Sequence, residues 1–577
     1  MGKGSAAPLC QFSTGVAGST EVHSPAVANP STFAEIVRMR AGDPNPALRF
    51  EDEMWTGEQF VAECAQRAAL MNELRRPGPF HIGVHLDNVP EFLFWLGGAA
   101  LVGAAIVGIN PTRRGAELVR DIEHTDCQWV VSDTTGTDAL DGLAPNRLLL
   151  VDAPDGLAHL ARHINAPLPA AEVTPETLLL LLFTSGTTGD PKAVRCTQGR
   201  LARIAVNVAT QYGFTAADVT YQAMPLFHGN ALMANWAPAL YAGATVALRR
   251  KFSARGFSAD IHRFGATYFN YVGKALTYIL ATPETPDDAH NTLTRCFGNE
   301  ASHRDIAEFQ RRFGVTITEG YGSSEGGAVI AITPDTPPGA LGLGREGVTI
   351  LDPLSKHEKP RAQFDEHGRI LNAEAATGEI ANLLGVPGFE GYYNNPEADR
   401  ERVRDGIYWS GDLGYRDRLG FFWFAGRGAD WLRVDGENFA AAPVERLLYR
   451  FPGVVTAAVY AVADPLSGDA VMATLELAEG HRFDPDAFAE FLSAQPDLGT
   501  KWAPRFVRLA PSMPLTGSMK VVKHSLRAES WGCNDPVYVR AERGPLAYEL
   551  LTPIAATTLT GIYRDHGREN LVPASLN

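Results

Sequence analysis

Leu178-Leu-Leu-Leu-Leu-Phe183 runs directly into Thr184-Ser-Gly-Thr-Thr-Gly-Asp-Pro-Lys192. Five leucines and a phenylalanine predict a fully buried strand, and it ends abruptly in a loop of hydroxyl residues and glycines. Gly186 and Gly189 let the backbone turn so that its N–H groups face an anion, phosphate above all. Thr184, Ser185, Thr187 and Thr188 add hydroxyl donors, and Lys192 adds a positive charge. The spacing is not that of a Walker A loop, because Lys192 follows Asp190-Pro191 and precedes Ala193. Ser, Thr and Gly are turn residues anyway, but a nine-residue match, 184–192, after a buried strand favours a phosphate cradle. Leu201, Ile204, Ala205 and Val208 then recur at i, i+3, i+4 and i+7, so an amphipathic helix follows.

Outward from this loop, apolar runs at 81–86, 129–132, 147–151 and 244–248 alternate with amphipathic stretches from Phe33 to about Ile350. That rhythm predicts an α/β architecture with mainly parallel sheets. Between Leu341 and Phe424 the texture changes to short strands and Gly-rich turns, as in a small β-subdomain. A further α/β stretch follows Arg427, with strands expected at 455–462 and 471–477, and a domain boundary is placed at 426–430. Residues 1–31 read as a disordered arm without the apolar run of a signal peptide. Residues 92–109 carry no charge over eighteen positions. A buried helix followed by a buried parallel strand is the favoured reading, and a membrane span is the alternative.

The chain has 51 basic and 66 acidic side chains, a net charge of −15, which argues against nucleic acid as a partner. Cys10, Cys64, Cys127, Cys196, Cys296 and Cys533 are widely spaced without a CxxC pair. Neither a zinc site nor a disulfide framework is expected, and a reducing cytoplasm fits.

Further motifs follow in order. They are Tyr321-Gly-Ser-Ser-Glu325, Tyr408-Trp-Ser-Gly-Asp412, Gly426-Arg-Gly-Ala-Asp430 with Gly436-Glu437, and Pro514-Leu-Thr-Gly-Ser-Met-Lys520. With the 184–192 loop, this series resembles the adenylate-forming superfamily: acyl-CoA synthetases, luciferases and peptide-synthetase adenylation domains. The likeness runs from about Phe33 to the C-terminus. Lys251-Phe-Ser, Tyr271-Val-Gly273, Glu308-Phe-Gln-Arg-Arg-Phe-Gly314, Gly436-Glu-Asn438 and Asp535-Pro-Val-Tyr538 resemble the very-long-chain acyl-CoA synthetase and fatty-acid-transport-protein branch. The resemblance implies a large N-terminal adenylation domain, 32–426, of parallel-rich sheets with helices and a small β-subdomain at about 341–424. A small mobile α+β C-terminal domain, 427–577, would swing against it. The implied activity joins a fatty or similarly hydrophobic acid to coenzyme A through an acyl-AMP, with ATP and Mg²⁺.

The roles of individual residues follow from the same resemblance. Lys520 bridges the acyl carboxylate and the α-phosphate, with Lys523 a nearby rival. Glu325 holds Mg²⁺, a hard cation that wants oxygen ligands. Ser324 keeps a hydroxyl near the α-phosphate. Tyr321, with Gly322 beside it, stacks on adenine, and Gly298, Asn299 and Glu300 line the opposite side. Asp412 accepts the ribose hydroxyls, Arg427 contacts the same ribose and marks the domain junction, and Gly436 is counted with the nucleotide-binding residues. His228, in Pro225-Leu-Phe-His-Gly229, sits near the acyl carboxylate and the pantetheine channel, although a lone His among apolar residues is also an ordinary core residue. The sequence departs from the pattern at Ser324 (usually Thr), Met519 (usually Gly), Ala193 (usually Gly) and Ala429, where the pivot Asp or Lys is expected.

Three other functions compete. An acyl-AMP ligase would load a carrier protein instead of coenzyme A. A membrane-associated fatty-acid uptake protein would use the 92–109 run. A catalytically dead binding module is disfavoured by the intact set of Lys192, Glu325, Asp412, Arg427 and Lys520. Phe227, Leu232, Trp236, Phe269, Tyr271 and Val272 could line an acid pocket, and such residues are equally ordinary core. A homodimer and peripheral contact with a membrane are both compatible with the sequence.

Overall fold

In the computed structural model, the leucine strand spans Leu178–Thr184 and pairs antiparallel with Lys192–Thr197 as a hairpin. The structure describes residues 29–573 except 185–191, 367, 369, 387, 428–430, 435–436, 467, 518 and 541–544, and only the backbone of 437–438. The hairpin closes one edge of a six-stranded sheet whose other strands are Leu148–Leu150, Cys127–Ser132, His81–His85 and Ala105–Gly108. All of these run parallel up to Leu178–Thr184. The expected strand at 147–151 is shorter, because Pro145 opens a 3₁₀ turn over Pro145–Arg147.

A second sheet has fourteen strands. Pro46–Phe50, Thr245–Leu248, Val219–Gln222, Tyr268–Val272, Arg295–Asn299 and Thr316–Tyr321 are parallel neighbours in that order. Thr316–Tyr321 is the turning point. Its first part pairs parallel with Arg295–Asn299, and its end, Gly320–Tyr321, pairs antiparallel with Ile330–Ala331. From there the strands Gly342–Gly344, Phe421–Arg427, Ile407–Arg416, Gly378–Asn382 and Val348–Leu351 continue antiparallel. The antiparallel texture expected over 341–424 is therefore hydrogen-bonded to the parallel sheet, and it begins earlier, at Ile330. Ligand sites in open parallel sheets form beyond the carboxyl ends of the strands. Three such ends, at Val272, Asn299 and Tyr321, lie side by side here.

Residues 92–109 form most of the helix Pro90–Val102 and the strand Ala105–Gly108. Pro90 starts the helix, where a missing N–H costs nothing, and Gly103 ends it at φ 72°. Every residue from Phe92 to Val102 is buried, packed on the helix Gly57–Leu74, whose capping box joins Thr56 and Gln59. No described helix is long and apolar enough to cross a membrane. The six apolar candidates for an acid pocket are all buried in the same core cluster as this helix.

The C-terminal region carries a separate five-stranded sheet: Val454–Ala463, Asp469–Leu477, Phe506–Leu509, Val537–Arg540 and Tyr548–Leu550. Its strands pair antiparallel except for Asp469–Leu477 with Phe506–Leu509. Two core clusters of its own hold it together, one on the helices Ala441–Leu448 and Pro485–Ser493 and one on Pro553–Asp565. Among the described residues Cys64, Cys127, Cys196, Cys296 and Cys533 are all free thiols.

Candidate active site

The hairpin is fixed by the segment that crosses it. Tyr393 N–H donates to the Ala193 carbonyl (2.8 Å) and Arg195 N–H to the Gly391 carbonyl (3.0 Å). Ala193 is fully buried there, so the small residue that replaces the family's glycine suits the strand. Thr184 and Lys192 face each other in the ladder, at the base of the loop. The Lys192 ammonium lies 5.7 Å from the Tyr392 ring centroid and 2.8 Å from a Glu401 oxygen.

Tyr392 also reaches the next motif. Its hydroxyl donates to Glu325 Oε1 (2.8 Å) and accepts from Arg402 Nε (3.0 Å). Arg402 Nη2 stands 3.9 Å from the same Glu325 oxygen, and Nη1 donates to the Ser410 carbonyl. Glu325 is 4% exposed, so this is a nearly dry carboxylate with a nearby cation. The carbonyl of its backbone neighbour Ser324 accepts from Arg200 Nη2 (2.5 Å), and the Ser324 hydroxyl lies close to Gly229. Gly322 is exposed, with open space where a side chain would begin.

Asp412 and Arg427 sit opposite each other in one antiparallel ladder. Arg427 Nε is 3.4 Å from Asp412 Oδ1, and the Tyr321 hydroxyl donates to Asp412 Oδ2 (2.7 Å). Burial pushes the Asp412 carboxyl above its ordinary range, against the pull of Arg427 and Tyr321. Burial and the adjacent carboxylate push the Tyr321 phenol well up as well.

Gly298 and Asn299 end the strand Arg295–Asn299. The Asn299 side-chain amide donates to the Gly320 carbonyl and accepts from Asn230 (3.3 Å), tying two strand ends together. A Cβ on Gly298 would lie 2.1 Å from the Tyr271 ring. That ring is anchored, because its hydroxyl donates to Glu319 Oε1 (2.9 Å), and burial raises Glu319 to about 7. Gly298→Ala should therefore displace Tyr271 at a cost of about 1–3 kcal/mol. Thermal melting with and without AMP measures this. The variant should melt lower and lose most of its AMP-induced shift, and an unchanged shift would show that this strand end does not form the nucleotide wall.

Glu300 follows in the left-handed region at φ 69°, and Lys520 Nζ donates to its Oε1 (2.6 Å). The surroundings push the Glu300 carboxyl up, but Lys520 first, then Arg427 and Lys274, hold it below its ordinary value. Lys520 is presented by a tight turn in which Thr516 N–H donates to the Lys520 carbonyl (2.8 Å) and Lys520 N–H to the Thr516 hydroxyl (3.1 Å). A Cβ on Gly517 would meet the Phe227 ring at 3.0 Å and Asn110 and Thr112 at about 3.5 Å. The lysine turn thus lies against the loop that carries His228, between the strand Val219–Gln222 and the helical turn Gly229–Ala231. Burial, then the Lys520 charge, lower His228 to about 4, so it is neutral at physiological pH. Its Nε2 is buried without a hydrogen-bond partner, and its ring lies tilted against Phe227, 4.2 Å between centroids. Lys523, the rival lysine, points away and pairs with Glu445 (2.9 Å).

Met519 takes φ 62°, a conformation that suits the glycine usual there. Left-handed backbone costs a side-chain-bearing residue about 1–2 kcal/mol, and glycine's extra freedom when unfolded returns about 0.4–1 kcal/mol of that. Met519→Gly should keep its melting temperature and first-step rate nearly unchanged, while β-branched Met519→Val should lose in both. Paired melting and pyrophosphate-release assays check this; equal behaviour of the two variants would refute it.

The site thus brings Thr184, Lys192, His228, Gly298, Asn299, Glu300, Tyr321, Gly322, Ser324, Glu325, Asp412, Arg427 and Lys520 onto neighbouring strand ends and turns. Ser185, Gly186, Thr187, Thr188, Gly189, Ala429, Asp430 and Gly436 lie outside the described residues. Sequence reading missed Tyr392, Glu401 and Arg402. The signal available was Asn395-Pro396, a helix start whose Asn395 side chain accepts from Ala398 N–H (3.0 Å), directly after the Tyr392-Tyr393 pair. It also missed that Glu300 is the partner of Lys520.

Comparison with known proteins agrees with this geometry. Residues 38–377 match the AMP-binding enzyme family, and residues 443–520 match the AMP-binding enzyme C-terminal domain. A steroid-22-oyl-CoA synthetase of Rhodococcus jostii is 53% identical over 94% of this chain and 99% of its own. A medium/long-chain-fatty-acid–CoA ligase of Mycobacterium marinum is 45% identical over 85% of this chain and 95% of its own. The fold also matches the crystal structure of an anthranilate CoA ligase in complex with anthranoyl-AMP, with TM-score 0.76, 20% identity, and coverage of 86% of this chain and 96% of that one. With a nearly dry carboxylate tied to the segment that crosses the hairpin, a Tyr–Asp–Arg cluster and a lysine delivered from the C-terminal unit, the chain belongs to the adenylate-forming AMP-binding enzyme family, among its acyl-CoA synthetases.

Proposed function

We propose that this chain converts a large hydrophobic carboxylic acid to its coenzyme A thioester, in two steps at one cleft. First, a carboxylate oxygen bonds to the α-phosphorus of ATP while the bond to the bridging oxygen breaks, and pyrophosphate leaves with the electron pair. Then the sulfur of coenzyme A, its proton lost to solvent, bonds to the acyl carbon; the carbon–oxygen bond to AMP breaks and AMP departs. The observation that carries this reading is the Lys520–Glu300 contact, which puts a cation from a turn of the C-terminal unit at the strand ends of the N-terminal sheet. Negative charge builds up on the phosphorus oxygens in the first step, and a positioned ammonium stabilises it.

Asp412 and Arg427 hold the ribose, and Tyr321, Gly322 and the 298–300 backbone hold the adenine. The hairpin loop with Thr184 and Lys192 holds the phosphates, and the Ser324 hydroxyl lies on the α-phosphate side. The residues present fit Mg²⁺. No cluster of three or more ligating side chains occurs among the described residues, so Glu325 would supply one hard oxygen and the nucleotide phosphates the rest. The contacts of Glu325 with Tyr392 and Arg402 fall on Oε1. The metal, when bound, spreads the charge of the leaving pyrophosphate. His228, neutral and without a partner for Nε2, orients the acyl carboxylate.

Residues 32–426, including the β-rich 341–424 part, form the adenylation domain, and 427–577 the unit that moves. The lysine turn covers Phe227, Asn110 and Thr112, where a thiol needs access, so that turn withdraws between steps. Names of the relatives support a bulky apolar acid: a steroid bearing a C22 carboxylate heads the candidates, and medium- to long-chain fatty acids follow. The free thiols fit a reducing cytoplasm.

A pyrophosphate-release screen over acids of graded length and ring content, followed by mass detection of the product with coenzyme A, tests the proposal. Release and thioester with steroid or long-chain acids are expected. Acyl-AMP that accumulates in the presence of coenzyme A would replace it with loading of a carrier protein, and no release with any acid would end it.

A further inference from the structure

Lys274 stands between the two units and belongs to no motif of the chemistry. It follows Gly273 at the end of the strand Tyr268–Val272 and begins the helix Ala275–Leu280. Its ammonium is hydrogen-bonded to the hydroxyl of Tyr449 and lies 4.4 Å from the centre of that ring. Tyr449 follows the helix Ala441–Leu448 of the C-terminal unit, and its carbonyl accepts from Arg304 Nη1 (2.9 Å). Beside it, Tyr278 approaches Glu476 (3.5 Å), and Glu476 accepts from Met513 N–H (3.0 Å), one residue before the lysine turn.

The charges explain why a cation is needed there. Glu300 and Asp305 from the N-terminal side and Glu445 and Glu476 from the C-terminal side all act on Lys274. Lys523 lies on Glu445 from within the C-terminal unit. Without Lys274, carboxylates of the two units would face one another across a partly buried seam, where repulsion is less screened than in water. The same seam sets the position of Lys520, because Gly273 packs beneath the Met519 carbonyl and beside Glu300.

We propose that Lys274, with Arg304 and Tyr449, is a docking latch: it holds the C-terminal unit where Lys520 meets Glu300, and it serves acyl-AMP formation but not thioester formation. The inference rests on the function proposed above. Lys274 touches no reacting atom and acts by positioning Lys520; a displacement of about 1 Å can cost about a hundredfold in rate.

The test uses the full chain and two assays: pyrophosphate release with acid and ATP, and thioester formation from supplied acyl-AMP and coenzyme A. Lys274→Met should slow the first by about 10- to 100-fold and leave the second unchanged or faster, with Lys274→Arg recovering most of the loss. Arg304→Ala, at an exposed position, should give a smaller split in the same direction and covers the case in which Lys274→Met does not fold. Equal loss in both assays, or no loss in either, for the variant that folds would overturn the latch. Failure of the wild-type chain to release pyrophosphate would instead overturn the function on which it rests.

Discussion

Lys520→Ala should lose acyl-AMP formation by at least about 10²- to 10³-fold and keep thioester formation from supplied acyl-AMP. The magnitude follows from removing one preorganised cation from the place where phosphoryl charge develops. The ammonium lies 2.6 Å from Glu300, on a turn held by two hydrogen bonds with Thr516. Glu300 is thus an acidic partner with which an acyl carboxylate and a phosphate would compete for the lysine. Lys520→Arg should recover little, because a planar guanidinium is bulkier and delivers its charge differently from a compact ammonium. Glu300→Gln separates this acidic contact from the chemistry. It should weaken the docked position and lower the first step several-fold, without the near-complete loss of Lys520→Ala. Pyrophosphate release and thioester formation, measured separately on each variant, decide the matter; normal adenylation by Lys520→Ala would remove that lysine from the mechanism.

The contacts that sequence reading captured and those it missed differ in range. The leucine strand and the following helix are local, and apolar patterning located them. Asp412 and Arg427 were assigned to one ribose on separate motifs, and the reason they meet is a hairpin register that puts them directly opposite. Glu325 with Tyr392, 67 residues apart, and Lys520 with Glu300, 220 apart, are set by how sheets and units pack. No local pattern encodes that packing. Lys274 with Tyr449, 175 apart, is of the same kind. The apolar run at 92–109 was ambiguous for a different reason: a helix buried on all sides has the composition of a membrane span, and only its length of 13 residues separates them. Phe227, Trp236 and Tyr271 show the same limit, since a pocket wall and a core are built from the same residue types and these three are core.

Glu325→Gln is the variant expected to uncouple the enzyme from its metal. The substitution keeps the shape and one acceptor oxygen, so the Tyr392 hydroxyl retains a partner. It removes the charge that faces Arg402 at 3.9 Å in a site only 4% exposed. Arg402 retains carbonyl partners on Trp409 and Ser410, so the stability cost should stay near about 1–3 kcal/mol, the range for an impaired buried polar group. The kinetic cost should be larger. Mg²⁺ binds through one or two carboxylates together with substrate phosphates, so loss of the only negative side chain in the Tyr321–Glu325 motif should shift the Mg²⁺ dependence of pyrophosphate release to higher concentration. At a fixed, moderate Mg²⁺ level the rate should fall by about 10²-fold or more, as when one stabilising electrostatic group is lost. Thioester formation from supplied acyl-AMP expels no pyrophosphate and should be spared. A Mg²⁺ titration of both half-reactions therefore separates the outcomes. If the first step slows without any change in its Mg²⁺ midpoint, Glu325 positions Tyr392 and Arg402 and another group holds the metal.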